Sequence, residues 1–183
     1  MKLTFYSDLH FYAVHEINET LVFNDTTYFI GDIVDMRGCK NSEIEEAENK
    51  RLEIQEKSKG KSLNGNHELA HDTEIDIVRD GICITHGDVF DHTSEKYYDW
   101  HYKKQPGSTW FRRSYLSIAY WFRENFQKNV SKACLQKAAN YACSEGCHTI
   151  VFGHKHPSKV VDKVINDTRV ICVPRGKTEV IFN

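Results

Sequence analysis

The sequence predicts a single domain that mixes short strands with helices. Three observations lead there. The chain has 183 residues, little more than one domain of about 150. Its apolar residues come in short runs that read as buried strands, several of them ending in a polar motif rich in Gly, Asp, Asn or His. Between these runs lies a charged stretch that carries its few apolar residues in helical fashion. Hydrophobic residues make up 40%, aromatic residues 12% and charged residues 27%, which is ordinary globular composition and excludes global disorder.

Taken in order, Leu3 to Tyr6 reads as a strand running into Ser7-Asp8-Leu9-His10, and Thr27 to Ile30 as a strand running into Gly31-Asp32-Ile33-Val34-Asp35. Ser42 to Lys59 lacks Gly and Pro and carries Ile44, Ala47, Leu52 and Ile54, predicting a mostly exposed helix. A short link then meets Gly65-Asn66-His67-Glu68. Ile75 to Val78, Arg79-Asp80-Gly81 and Ile82 to Thr85 read as strand, turn and strand, a hairpin that ends at His86-Gly87-Asp88. Thr149 to Phe152 is a further buried strand, followed by Gly153-His154-Lys155-His156. The tail reads as three strands, Val160 to Ile165, Arg169 to Val173 and Glu179 to Phe182, the first two joined by a tight turn at Asn166-Asp167.

Charge and hydropathy narrow the function classes. Lys plus Arg (24) nearly balances Asp plus Glu (26), for a net charge of −2, so the chain lacks the basic excess of a general nucleic-acid binder. The longest apolar run is Ile118 to Phe122, far short of the roughly 18 residues that cross a bilayer. The first residues lack the length and cleavage site of a signal peptide, and the expected location is the cytoplasm. Six scattered cysteines read as reduced thiols rather than a disulfide framework. Cys143, Cys147 and His148 have the spacing of a metal clip but no second pair, so a packing role is favoured.

Histidine is more informative. Of ten, five (His10, His67, His86, His154 and His156) fall inside the motifs; His15, His71, His92, His101 and His148 fall outside and read as surface or packing residues. Two hard divalent cations held close together need oxygen and imidazole ligands, with at least one carboxylate able to bridge them. Asp8, His10, Asp32, Asn66, His86, His154 and His156 supply that mixture. Asp8 and His10 lie two apart, as do His154 and His156, so each pair is expected on one side of an extended strand end. Glycines beside the motifs are expected to turn the chain and to let a metal or phosphate approach. Asp35 and Asp88 are expected to orient ligands or turn the chain rather than bind metal.

In this order the motifs resemble the calcineurin-like metallophosphoesterases. The resemblance covers about residues 3 to 88 and 149 to 173. It implies an α/β (α+β type) fold, a four-layer sandwich of two mixed β-sheets flanked by helices with a helical insertion, over a single domain spanning 1–183. It implies that Asp8, His10 and His156 hold one divalent metal, that Asn66, His86 and His154 hold another, and that Asp32 bridges them. The two ions, manganese first with iron or zinc as alternatives, would supply a bridging hydroxide that attacks phosphorus. His67 would contact the phosphate and protonate the leaving oxygen.

Departures qualify the nearest group. Gly65-Asn66-His67-Glu68 with Arg37-Gly38 is similar to the protein serine/threonine phosphatases, but those place the Arg directly after the residue matching Asp35, and here Met36 intervenes. Thr85-His86-Gly87-Asp88-Val89-Phe90-Asp91 looks more like the UDP-2,3-diacylglucosamine pyrophosphatase-like group, which carries a helical insertion at this point. The lipid-A enzymes of that group usually have Arg where this chain has His67, so the resemblance carries the phosphoesterase chemistry and not the lipid substrate.

The insertion is expected at about 90–146. Trp110, Phe111, Tyr115, Leu116, Trp121, Phe122 and Phe126 crowd one stretch of it, interleaved with Arg112, Arg113 and Arg123. Such a stretch reads either as a helix packed on the sandwich or as a cap that contacts a phosphorylated small-molecule or nucleotide-type substrate. Arg37 and Lys155 are further candidates for substrate contact. Two function classes follow: a metal-dependent phosphoric ester hydrolase, or a binding scaffold of the same fold without turnover. No ligand position is missing, which favours the hydrolase.

Overall fold

The computed structural model describes residues 1–13, 16–68, 76–91, 118 and 129–182. It is an α+β structure with two mixed sheets. The first sheet has the strand order β3-β2-β1-β9, built from β1 (Lys2–Ser7), β2 (Thr27–Ile30), β3 (Ser62–Leu63) and β9 (Gly176–Ile181). The second has the order β4-β5-β6-β8-β7, from β4 (Asp76–Arg79), β5 (Ile82–Thr85), β6 (Thr149–Phe152), β7 (Val161–Ile165) and β8 (Thr168–Cys172). The helices are α1 (Ile44–Ser58), preceded by a 3₁₀ turn at Asn41–Glu43, the short α2 (Asp88–Asp91) and α3 (Lys132–Ser144).

β2, β5 and β6 are short and buried along their whole length because both of their faces are covered, whereas the edge strands β4 and β7 and the alternating β9 keep exposed positions. Along β1, Leu3 and Phe5 point one way into a core shared with Tyr28, Ile30, Leu63, Val180 and Phe182 of the first sheet and Ile82, Ile84, Val151 and Ile171 of the second. The alternate residues point outward, following the two-residue period of a strand. Tyr6 and Phe29 stack at 5.2 Å on the outer face of the first sheet, in a cluster with Ala47 and Ile54 of α1. On the outer face of the second sheet, Cys83, Ile150, Phe152, Val170 and Cys172 meet Cys134, Leu135, Ala138, Ala139 and Ala142 of α3.

Local chemistry sets the element ends. Ser131 caps α3 by accepting the Cys134 N–H at 3.2 Å. α1 ends where Lys59 turns left-handed at φ 53°. Its buried seam is Ala47, Arg51, Ile54 and Ser58, so Leu52, expected among the apolar residues of the helix, is 45% exposed instead. The hairpin β4–β5 pairs Arg79 with Ile82 across Asp80 and Gly81, both at positive φ, the geometry of a two-residue hairpin turn. Asn166 and Asp167 repeat it between β7 and β8.

Two sequence expectations need correction. The link before Gly65 contains a strand, β3, too short to leave a periodic signal. β9 starts at Gly176 rather than Glu179, because its antiparallel pairing with β1 extends to Ser7 opposite Gly176. The stretch assigned to an insertion, 90–146, includes α3, which packs in the core and whose small Ala residues let it sit close to the second sheet. Phe90, where the insertion was expected to begin, is also core, 5.1 Å from the Phe152 ring. The aromatic and arginine-rich stretch with Arg112, Arg113 and Arg123 lies outside the described residues.

β1, β2 and β3 run parallel, as do β5, β6 and β8. Asp8, Asp32 and Asn66 therefore follow the carboxyl ends of three parallel strands of one sheet, and His86 and His154 those of two in the other, the edge where open α/β sheets bind ligands. Among the described residues no helix is long and apolar enough to cross a membrane. Packing predicts stability: Ile84→Ala, in the core between the sheets, should cost about 2–5 kcal/mol by urea unfolding, whereas Leu52→Ala should stay within about 0.5 kcal/mol.

Candidate metal centre

Asp8, with φ 53°, directly follows β1, and its N–H donates to the Gly31 carbonyl at 3.1 Å, tying the first two motif loops together. Its carboxylate accepts from the Ser7 hydroxyl, from the His154 N–H at 3.0 Å and faces His156 Nε2 at 2.8 Å. His10 donates its N–H to the Asp32 carbonyl at 2.9 Å, and its ring lies between Asp32 (4.0 Å) and Asp35 (3.5 Å). Asp32 Oδ2 is 3.4 Å from His86 Nε2, and its Oδ1 accepts the His67 N–H at 2.8 Å. His86 Nδ1 meets the Ile30 carbonyl at 3.0 Å. With Nδ1 donating to that carbonyl, Nε2 is turned toward Asp32 and His154 Nδ1, the latter at 3.2 Å.

Three groups of side chains place their ligand atoms within 4.8 Å of one another: Asp8, His10 and His156; His10, Asp32 and His67; and Asp32, His86 and His154. Each of these groups could hold a metal ion. They share His10 and Asp32, so six of the seven sequence-predicted ligands, with His67, form one continuous cluster. Asn66 is buried, and its side-chain Oδ1 has no hydrogen-bond partner among the described residues. A buried amide oxygen left without a donor is costly, and a cation is a partner that such an oxygen can accept. Imidazole nitrogens mixed with carboxylate and amide oxygens fit manganese, iron or zinc better than calcium, which takes oxygen alone. No cysteine belongs to these groups; all six are free thiols, and Cys143 and His148 are exposed.

The way the ligands converge differs from the expected strand-end alternation. Asp8, His10, Asp32, His154 and His156 all have φ between 47° and 64°, the left-handed region that residues other than Gly, Asn and Asp rarely enter. β1 ends at Ser7 and β6 at Phe152, so each Asp-x-His or His-x-His pair sits on a tightly coiled loop beyond its strand. The flanking glycines also do something other than expected. A Cβ on Gly31 would lie 2.6 Å from His86 Nδ1, one on Gly38 would lie 2.5 Å from Asp35 Oδ2, and those on Gly65 and Gly153 would strike Asp32 and Asp8. These glycines make room for the side chains of His86, Asp32 and Asp8 among the predicted ligands, and for Asp35.

Buried charge is compensated locally. Burial pushes the Asp8, Asp32 and Asp35 carboxyls up, but His156 beside Asp8, His67 and His86 beside Asp32, and His67 and His10 beside Asp35 hold all three well below the usual range. Burial lowers His86, but Asp32, Asp8 and Asp88 together more than reverse it, leaving that imidazole well above its usual value. His67 goes the other way: burial lowers it, and Asp35 and Asp32 restore only part. Asp35 Oδ1 is 2.9 Å from His67 Nδ1 and accepts the N–H groups of Arg37 and Gly38 at 3.0 and 2.6 Å. Asp35 thus orients His67 and turns the chain, as the sequence suggests.

Arg37 is buried near enough to His67 to depress its pKa, while Lys155 is half-buried between two ligand histidines. Arg112, Arg113 and Arg123 lie outside the described residues, as do His15, His71, His92 and His101. Sequence reasoning missed three contributors. Ser7 donates to Asp8. Glu68 accepts the N–H groups of Asp32, Ile33, Val34 and Gly65 at 2.5–3.0 Å, pinning the second motif loop to the third. Arg175 Nε donates to the Asp8 carbonyl at 3.0 Å. Glu68 had a signal, its place beside Asn66 and His67; Arg175 is 167 positions from its partner and had none.

No family model matches the chain, and no curated protein matches it.

Burial and the nearby Asp32 charge push Glu68 up to about 8 against four backbone donors that favour its carboxylate. A folded-state pKa above the ordinary 4.5 means that the stability from this group is fully present below about 4.5 and is lost as pH rises through about 8. Chelator-treated protein should therefore melt at lower temperature as pH rises from 5 toward 8, in steps of about one pH unit. Glu68→Gln should flatten that decline; an unchanged slope in the variant would assign it to other groups.

Proposed function

We propose that the chain is a dimetal-dependent phosphoric ester hydrolase of the calcineurin-like type. The observation that carries this reading is the continuous chain of groups able to hold metal, Asp8–His10–His156 and Asp32–His86–His154, joined through His10, Asp32 and His67, with the buried, unsatisfied Asn66 oxygen one residue before His67. The arrangement of α1, the first sheet, the second sheet and α3 around successive apolar clusters supports the four-layer sandwich that goes with it. In this reading Asp8, His10 and His156 hold one cation, Asn66, His86 and His154 hold the other, and Asp32 is shared. Bound cations would lower the pKa of an attacking water and offset charge on the phosphoryl oxygens.

The chain's own residues supply the rest. His67 Nδ1 is engaged by Asp35, so Nε2, 3.9 Å from Asp32 Oδ2, faces the centre. As imidazolium, its Nε2–H can pass to the leaving oxygen, which is needed because an alkoxide leaves poorly. Asp35 holds the ring in that orientation and favours its charged form, while Arg37 opposes the charge. Asp32 couples the two cation positions, and Glu68 fixes the loop that presents it. A phosphorylated small molecule or nucleotide is the substrate class this centre suits. Retention of all seven ligand positions and His67 favours turnover over a non-catalytic scaffold.

A screen of phosphate monoesters, diesters, cyclic nucleotides and nucleoside-diphosphate sugars with added manganese tests the reading directly; no hydrolysis of any class would refute it. Removing His67 should lower turnover roughly 10²- to 10⁴-fold for an alkyl phosphate ester with metals retained, and less for a nitrophenyl ester, whose leaving group needs no proton. Asp32→Asn should instead reduce metal content, measured by elemental analysis. A general acid must carry its proton, so turnover on the alkyl ester should fall as pH rises through the His67 pKa. Because the Asp35 charge supports that proton, Asp35→Asn should move this alkaline limb to lower pH, an effect that simple loss of folded protein would not produce.

A further inference from the structure

Arg175 lies where the chain crosses from one sheet to the other, between β8 and β9, and the next residue, Gly176, pairs with Ser7 across the end of β1. Pro174 precedes it and fixes one backbone angle of the approach. The half-buried guanidinium donates through Nε to the carbonyl oxygen of Asp8 at 3.0 Å. Asp8 is fully buried and left-handed, a conformation that Asp enters more readily than most residues but still at a cost. Its N–H is held by Gly31 and its carboxylate by Ser7 and the His154 N–H. The Arg175 contact holds the remaining polar group of the residue. Rotation of the peptide plane after Asp8 would break that contact and would carry Leu9 and His10 with it.

We propose that Arg175 is a positioning residue of the metal centre: by gripping the Asp8 carbonyl it sets the geometry of the Asp8–His10–His156 group, and so the affinity of that one cation position. The proposal rests on the dimetal reading above. It gives the sheet-to-sheet crossing a role in the centre, since the segment that closes β9 onto β1 also carries the group that fixes the first ligand. The planar fork of arginine matters here. A lysine keeps the charge but presents a flexible point donor in place of Nε–H.

The test titrates metal-stripped wild type, Arg175→Lys and Arg175→Met with manganese, following heat of binding and the electron paramagnetic resonance of the bound ions, with the metal-free melting temperature recorded for each. Wild type should show two binding steps and, when full, the signature of a coupled manganese pair. Arg175→Met should weaken one step about 10- to 100-fold, the range for loss of a group that supports a ligand, leave the other step unchanged, and show isolated-ion signals where wild type shows coupling. Arg175→Lys, the variant that better preserves folding, should weaken the same step to a smaller extent. Equal weakening of both steps, unchanged binding in both variants, or a loss that merely tracks a lower metal-free melting temperature would overturn the proposal. Wild type that takes up no manganese would overturn the dimetal reading and this proposal with it, whereas two intact steps in wild type and both variants would overturn the proposal alone.

Discussion

Asp8, Asp32 and Asp35 are buried together with His10, His67, His86 and His154, and removing carboxylates from water without compensation costs more than a domain of this size can supply. The compensation organises everything around them. Each carboxylate faces at least one imidazole, and the backbone N–H groups of His154, His67, Arg37 and Gly38 complete the set. Asp32 has the most demanding position, with three histidines acting on one carboxylate. To bring those rings to it, loops from both sheets must end at the same edge, which fixes how the sheets face each other.

The loops are held by devices that act between motifs. Glu68 spends its carboxylate on four backbone N–H groups drawn from two motifs, the Asp8 N–H reaches the Gly31 carbonyl, and the His86 ring reaches the Ile30 carbonyl. Left-handed backbone at five of the seven ligand positions is the conformational cost of packing ligands so closely. The apolar clusters on both sides of both sheets provide the rigid support against which that strain is kept. A centre assembled this way keeps its ligands in position through many small contacts rather than through one strong one.

That assembly also explains the division of labour among similar residues. His86 and His67 both lie near Asp32, yet they shift in opposite directions: for His86 the charges of Asp32, Asp8 and Asp88 together outweigh burial, and for His67 burial wins, with Arg37 adding to the effect. Two histidines on different loops thus receive opposite electrostatic environments, which is what the proposed split between a ligand and a proton donor would need. Asp35, one loop position beyond the ligand set, belongs to the second environment rather than the first, because it meets His67 at Nδ1.

The sequence by itself determined most of the strands, because buried β-strands leave apolar runs and their loops leave Gly, Asp, Asn and His at short, fixed spacings; it missed β3 and the start of β9. It also determined which polar residues the loops carry, and all seven predicted ligands come from those loops. It could not show how Asp8 and His10 converge, since the two-residue period of a strand stops at Ser7 and the left-handed turn beyond it leaves no pattern in composition. It could not separate α3 from the segment before it, because an Ala-rich helix that packs on a sheet reads like any amphipathic stretch. Only the tertiary structure brought Arg175 to Asp8, Glu68 to the Asp32 loop and Asn66 to a buried position without a donor. Those contacts join positions far apart in the chain, and local spacing carries no information about such pairings; they are set by which strands lie side by side and by the one edge at which both sheets end.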